Sequence, residues 1–303
     1  MKVIFMGTPE FAVQSLKALT ESAEVLCVVT QTDKPKGRGH KLQPPPVKVF
    51  AEKNNIPVLQ PARLKSPEVI EQLAAFNADL IVVVAYGKIL PQAILDLPKF
   101  GCINVHASLL PKYRGAAPIE WSIINGETLT GVTTMKMDAG LDTGDMLLST
   151  KIEIGEDMIL PELKEILSVE GAKLLIETIN NLDAIKPVKQ DDALSNYAPM
   201  LTKDTGKIDW TKSAREIHNL VRGLYGGAFT NIDEQKFKIW RTKIFDTDLK
   251  LSAGEIKIDG KKFFVGTGDS TLEILELQAP NSKKLDAASY LLGHKLEDKK
   301  FSE

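Results

Sequence analysis

Two short stretches carry residue types that can do chemistry. The first is residues 101–111, where Asn104 and His106 stand two apart at the end of an apolar, strand-like run. Alternation along a strand points both side chains the same way. Either residue alone would most simply be a satisfied core polar group. Together, in an apolar setting, they form a pair that costs free energy unless it is hydrogen-bonded or used. The second is Met137-Asp138-Ala139-Gly140-Leu141-Asp142-Thr143-Gly144-Asp145, with three acids and two glycines between apolar strands. Such a loop is ordinarily a turn. It lacks the repeated odd-position oxygens and final Glu of a calcium loop. The four histidines, His40, His106, His218 and His294, are scattered, so no metal site is expected.

A third place for chemistry is Gly7-Thr8-Pro9-Glu10, between a first strand and a helix. A dinucleotide fingerprint there needs three spaced glycines. Only Gly7 is present and Glu10 would repel phosphate, so a tight turn at a strand end is the reading, in a position where sheets of this type hold ligands.

The elements that must position these residues alternate. Apolar runs at 3–6, 25–29, 80–85, 102–105 and 132–137 are separated by helical patterns. Ser66 and Pro67 read as N-cap and first helical residue. Continuous apolar strands between helices predict a mostly parallel sheet buried on both faces. Residues 161–182 read as a long helix packed on that sheet, apolar at Leu163, Ile166, Leu167, Leu174, Leu175 and Ile179. Residues 184–207 lack periodicity and read as a linker. Ser213 with Glu216 forms a capping-box signature opening a helix with Ile217, Leu220, Val221 and Leu224 on one face. Strand-like runs follow at 237–245, 255–258, 263–265 and 272–277. The expected architecture is α/β: a Rossmann-like domain over 1–183, a linker over 184–207 and a small OB-like β-barrel over 208–303.

The run NVHASLLPKYRGAAPIEWSIINGETLTGVTTMKMDAGLDTGDML, from Asn104 to Leu147, resembles the core of the folate-dependent formyltransferases. The resemblance extends over the whole chain: Gly7-Thr8-Pro9-Glu10-Phe11, the segment 34–48, residues 201–210 and Leu292-Gly293-His294-Lys295-Leu296 also fit, in the manner of members acting on aminoacylated tRNA. It implies transfer of the formyl group of 10-formyltetrahydrofolate to the amino group of methionyl-initiator-tRNA. An amine attacking a formyl carbon generates a tetrahedral oxyanion, which requires fixed donors. By the resemblance, Asn104, His106 and Asp142 are the catalytic trio. The Asn104 amide donates to the formyl oxygen, His106 stabilises the oxyanion, and Asp142 orients His106 and a water and helps take the amine proton. Ser108, Leu109, Leu110 and Pro111, the loop holding Tyr86, Gly87, Ile89 and Leu90, and Asp138 are implied around the folate.

For the acceptor, five basic residues and no acid lie between Lys34 and Ala51, namely Lys34, Lys36, Arg38, Lys41 and Lys48. Most such runs are solvated loops, yet a glycine-containing basic loop also suits an RNA end. The resemblance implies that Lys34, Lys36, Arg38 and Lys41 contact tRNA, Arg38 foremost because guanidinium binds phosphate bidentately. In the tail, Lys236, Lys238, Arg241 and Lys243 are expected to share one face, with Lys238 and Arg241 as further tRNA contacts. Arg222-Gly223-Leu224-Tyr225-Gly226-Gly227 departs from the Asn-Pro-Trp-Pro-Gly-Ala that usually follows Arg-Gly-Leu in this family. The competing readings are a formyltransferase acting on a UDP-linked amino sugar or on glycinamide ribonucleotide, a formyltetrahydrofolate hydrolase, and an RNA-binding protein with a dead core.

Composition sets outer bounds. The chain has 303 residues, 38 Lys+Arg against 40 Asp+Glu, and 43% apolar residues. That is long enough for two cores and too balanced for a wholly basic nucleic-acid binder. No apolar run reaches the roughly 18 residues of a membrane span, and no signal peptide is evident, so a cytoplasmic location is expected; a monomer is expected as well. Cys27 and Cys102 lie in apolar runs and read as buried reduced thiols.

Overall fold

The computed structural model describes residues 1–36, 41–245, 249–294, 296 and 299–302, and of Lys36 and Lys41 the backbone alone. The chain forms two compact units. The first comprises Met1–Pro118, Leu129–Glu153 and Lys164–Ala198; the second comprises Ile119–Thr128, Ile154–Leu163 and Pro199–Glu303.

The first unit is built on strands β1 (Lys2–Gly7), β2 (Glu24–Val29), β5 (Val58–Leu59), β6 (Leu80–Val84), β7 (Cys102–His106), β9 (Leu129–Lys136) and β10 (Met146–Glu153). They stand in the order β10-β9-β7-β6-β1-β2-β5. The five strands from β7 to β5 are parallel, and β9 and β10 add antiparallel pairs at one side. All five residues of β6 and of β7 are buried, as the uninterrupted apolar runs require of strands covered on both faces. Smaller pairs are β3 (Lys34–Lys36) with β4 (Lys41–Gln43), and β8 (Arg114–Gly115) with β11 (Tyr197–Ala198).

The helices of this unit are α1 (Val13–Ser22), α2 (Pro46–Lys53), α3 (Pro67–Ala74) and the single turn α4 (Gln92–Leu95). Ser66 caps α3 by accepting from Val69 N, with Pro67 as its first residue. The long helix α6 (Leu160–Asn180) turns Leu167 and Leu175 fully inward, but Ile166, expected on the same face, is exposed. Cys27 and Cys102 are free and buried, and burial pushes both thiols up to about 12. They are therefore uncharged at neutral pH and pack as small apolar groups.

The second unit holds α5 (Pro118–Ile124, from Ile119), α7 (Ala214–Leu224), β12 (Phe229–Ile232), β13 (Gln235–Phe245), β14 (Ile256–Asp259), β15 (Lys262–Gly266), β16 (Thr271–Gln278), β17 (Leu285–Asp286) and α8 (Ala287–Leu291). Strand order is β12-β13-β16-β15-β14, with β17 beside β16. Asn231 bridges Ser302 and Glu255 bridges Lys300, so the last residues span the two sheet edges and close a small barrel. Its core centres on Phe301, stacked on Trp210 at 5.2 Å and on Phe263 at 5.8 Å. The capping box forms: Ser213 accepts from Glu216 N, and the Glu216 carboxylate accepts from Ser213 N.

His218 of α7 is buried in this unit. Its Nε2 donates to the Glu156 carbonyl at 3.2 Å, and Nδ1 lies 2.9 Å from the Thr242 hydroxyl. Burial lowers its pKa below 6.5, opposed by the Glu156 carbonyl and Asp157 and aided by Arg222 and Arg215. The unfolded chain therefore takes up the proton first. The stability held by neutral His218 is complete above about pH 6.5 and declines as the pH falls toward the lower folded value. Urea unfolding at pH 7.5 and 5.5 should show a smaller loss in His218→Gln than in the wild type.

Candidate active site

The trio converges in the first unit. Asn104 and His106 close β7 on the same side, both buried. Asp142 reaches them from the loop between β9 and β10. Its Oδ1 accepts from Asn104 Nδ2 at 3.4 Å, and its Oδ2 lies 3.7 Å from His106 Nδ1. Oδ2 also accepts from the Gly115 amide at 2.9 Å. His106 Nε2 lies 2.9 Å from the Tyr113 carbonyl, which can only accept, so Nε2 carries a proton. The other ring nitrogen, Nδ1, faces the Asp142 carboxylate. The Asp142 side chain is 13% exposed, enough for contact with a substrate but shielded from bulk water.

The loop that carries Asp142 is held from several directions. Asp142 sits at φ +54°, a left-handed conformation that aspartate tolerates better than most residues. Asp138 accepts from Gly140 N at 3.0 Å and from the Thr143 hydroxyl at 2.8 Å. Gln190 donates to the carbonyls of Asp142 and Gly144 at 2.8 and 2.7 Å. Asn196 accepts from Tyr113 N through its side chain and from Arg114 N through its carbonyl. Gln190 and Asn196 lie in the segment that reads as a linker. The missed signal was their polarity beside the pairable Tyr197-Ala198.

The expected folate residues divide. Ser108 donates to the Lys112 carbonyl at 2.6 Å, while Thr133 donates to the Ser108 carbonyl and accepts from Leu110 N, tying residues 108–111 to β9. Leu109 is half-buried, and the Leu110-Pro111 bond is cis. Gly87 and Ile89 lie on the loop after β6, with Ile89 74% exposed. Tyr86 and Leu90 instead turn their side chains into the core. Only the Tyr86 carbonyl faces outward polar groups, accepting from Thr8 and from Gln31. The Tyr86 hydroxyl is buried with no hydrogen-bond partner among the described residues, and burial pushes it up to about 12. Removing an unpaired buried hydroxyl should not destabilise. Tyr86→Phe is expected to match or exceed wild-type stability, by about 1 kcal/mol, in a denaturant titration, with turnover unchanged.

These loops fit a flat, edge-bonding ligand such as a pterin. Ile89 and the exposed Leu141 offer apolar faces, and left-handed turns at Ala85, Gly87 and Asp142 turn backbone groups out of the ladder. The loops at 85–90 and 107–113 follow the carboxyl ends of β6 and β7, and the Asp142 loop joins β9 to β10. The chain order reverses between β1 and β6, where sheets of this type form a crevice. Among the described residues no group of three His, Cys, Asp or Glu is placed to hold a metal ion.

The basic residues lie in both units. Lys34, Lys36 and Lys41 belong to the β3–β4 pair, with Lys36 opposite Lys41 and Lys34 bonded to Gln31 Oε1 at 2.7 Å. Arg38 lies outside the described residues, as does His40. A cleft of about 620 Å3 beside the pair is lined by Thr8, Glu10, Gln31, Lys34, Pro46 and Phe50 among others. In the second unit, strict alternation would place Lys236 and Lys238 opposite Arg241 and Lys243. A register shift at Trp240 and Arg241 restores them to one outward face, with Phe237, Ile239 and Thr242 inward. Lys236 lies over the Phe229 ring, and Lys238 and Lys284 over Trp240. Tyr225, where the chain departs from the expected pattern, meets Trp240 edge-on at 5.3 Å. A larger cleft of about 930 Å3 in this unit is lined in part by Asn219 and Arg222. Those two bond to each other, and Arg222 also to the Gly155 and Met158 carbonyls, so they serve packing.

Residues 1–179 match the family described as Formyl transferase, and residues 200–295 match the Formyl transferase C-terminal domain. The chain belongs to the formyl transferase family. It is 52% identical over 305 residues to the methionyl-tRNA formyltransferase of Ruminiclostridium cellulolyticum, covering 98% of each chain. It is 52% identical to that of Geobacter metallireducens, over 98% of this chain and 97% of the relative. Among solved structures, the sugar 3N-formyl transferase WlaRD, determined with dTDP and 5-N-formyl-THF, superposes with a TM-score of 0.68 at 20% identity, over 93% of this chain and 99% of that one. HypX from Aquifex aeolicus, in complex with tetrahydrofolic acid, gives 0.66 at 17% identity, over 96% of this chain and 47% of that one. Both members of this pair share the fold. No helix among the described residues is long and apolar enough to cross a membrane.

Proposed function

We propose that this enzyme transfers the formyl group of 10-formyltetrahydrofolate to the amino group of methionyl-initiator-tRNA. The observation that carries the reading is the Asn104–His106–Asp142 cluster in a chain about half identical, end to end, to methionyl-tRNA formyltransferases. In this reading residues 1–183 form the catalytic region, 184–207 the connection and 208–303 the second RNA-facing region.

The folate, when bound, supplies a formyl group whose carbon is open to attack by an amine. Asn104 cannot ionise; one of its amide hydrogens is spent on Asp142 at the long distance of 3.4 Å, and the other serves the formyl oxygen. His106 is held between the Tyr113 carbonyl and Asp142, and contributes positive charge near the developing oxyanion when both nitrogens are protonated. Asp142 accepts the proton that the amine loses, directly or through His106. Leu109, Leu110, Pro111, Gly87, Ile89 and Asp138 surround the folate, with Tyr86 contributing its backbone and the buried Ser108 and Leu90 the support beneath.

Lys34, Lys36, Arg38 and Lys41 are assigned to the acceptor end of the tRNA, and Lys238 and Arg241 to a second contact. Support for the latter comes from the basic face with the half-buried rings of Trp240 and Phe229 among its lysines, since cations and aromatic rings together suit nucleic acid. The test compares charged initiator tRNA, charged elongator methionine tRNA and a UDP-linked amino sugar with one folate donor. Initiator tRNA is expected to be formylated fastest. Faster formylation of the amino sugar overturns the reading, and equal rates on the two tRNAs overturn the initiator preference.

A further inference from the structure

We infer that Gln190 is a positioning residue of the reaction, holding Asp142 in register with the amide that binds its carboxylate. The inference rests on the reading of Asp142 as the proton-handling group. Gln190 is 5% exposed, and its side chain makes three hydrogen bonds. Its Nε2 donates to the carbonyls of Asp142 at 2.8 Å and Gly144 at 2.7 Å. Its Oε1 accepts from Arg114 Nε at 2.9 Å. A side-chain amide has two N–H donors, and both are spent on one catalytic loop.

The loop needs such a partner. The β9–β10 ladder ends at Met135 and Met146, and Lys136 N donates to the Asp145 carbonyl. Beyond that point the left-handed turn at Asp142 takes the chain out of strand geometry. Carbonyls released from a ladder in a shielded place require donors. Gln190 is delivered to them by backbone pairing two residues earlier, where Val188 and Met146 exchange N–H and C=O bonds at 2.8 and 2.9 Å.

The other end of the Gln190 amide makes the arrangement specific. Arg114, which it holds, directly precedes Gly115, whose amide donates to Asp142 Oδ2 at 2.9 Å. One side chain therefore ties the backbone of Asp142 to the strand that fixes its carboxylate. Arg114 is held further by Asp192 at 2.8 Å. A residue needed only to fill space would not join both sides of this contact. Loss of the link frees the carboxylate to shift against His106 without removing any group that touches substrate. A displacement of about 1 Å can cost 100-fold in rate.

The test uses the full chain and Gln190→Met, which keeps the volume and removes all three bonds, together with Gln190→Glu, which keeps an acceptor for Arg114 and removes both donors. Both are expected to lower kcat for methionyl-tRNA formylation by about 10–100-fold, with KM for folate donor and for tRNA within about 3-fold. Each is also made on the Asp142→Asn background, where single-turnover rates should fall less than 2-fold further, because residues acting as one unit are not additive. Wild-type kcat in both single variants overturns the inference, as does the same fold-loss on both backgrounds or a loss confined to KM. Wild-type turnover of Asp142→Asn alone would instead overturn the reading of Asp142.

Discussion

Asp142→Asn is expected to reduce formylation turnover by about 100–1,000-fold while the chain stays folded. The substitution is nearly isosteric, and asparagine accepts a left-handed φ such as the +54° found here. The backbone is therefore not what changes. The carboxylate now accepts from Gly115 N and Asn104 Nδ2 and faces His106 Nδ1. An amide in its place offers one acceptor oxygen and one NH2, so whichever way it turns, a donor meets a donor at Asn104 or Gly115. It also cannot take a proton. Single-turnover formylation with saturating donor reads the chemical step, and a melting temperature close to wild type separates it from unfolding. Turnover within about 3-fold of wild type, a loss of less than 1 kcal/mol in barrier, would remove Asp142 from the proton-transfer role.

Only part of this site can be read from residue order. Asn104 and His106 are legible because a buried strand has period two, which places them side by side whatever else the fold does. Asp142 comes from a loop 36 residues beyond His106, and no local rule joins the two; the family resemblance does. The Gly115 amide and Tyr113 carbonyl are invisible in principle, since every residue carries them. Gln190 and Asn196 are invisible for another reason. They act through tertiary hydrogen bonds from a segment with no hydrophobic period, so the segment reads as slack chain.

The fold shows the same division. The parallel core follows from uninterrupted apolar runs, which burial on two faces demands. The β12–β13 hairpin does not announce itself, because its turn uses Asp233 and Glu234 at φ +48° and +65° where a glycine would be the usual signal. Closure of the barrel rests on bridges at Lys300 and Ser302, in a polar tail without strand-like patterning. The shared basic face on β13 depends on a bulge, which reverses the parity that simple alternation would impose.

Gly144→Ala should be the most damaging single-methyl change in the catalytic loop, lowering stability by about 1–3 kcal/mol and turnover by about 100-fold. A Cβ at this position would overlap the Lys136 carbonyl oxygen and lie 2.9 Å from its carbonyl carbon. Both atoms are backbone, so no rotamer relieves the collision. Lys136 is held in turn by its pairing with Ile103 and by the Asp145 carbonyl. The loop must therefore move, and Gly144 carries one of the two carbonyls that Gln190 holds, two residues from Asp142. Gly140→Ala is the informative contrast. Its nearest clash is with the Thr143 hydroxyl, a side chain in an exposed turn that can rotate away at the cost of its bond to Asp138. Thermal melts and single-turnover rates of the two variants should rank Gly144→Ala well below Gly140→Ala on both measures. If the two fall together, the activity depends on the loop's general order. If Gly144→Ala alone loses turnover, the position of Asp142 against Gly115 and His106 sets the rate, and the backbone of this loop belongs to the catalytic machinery as much as the side chains it carries.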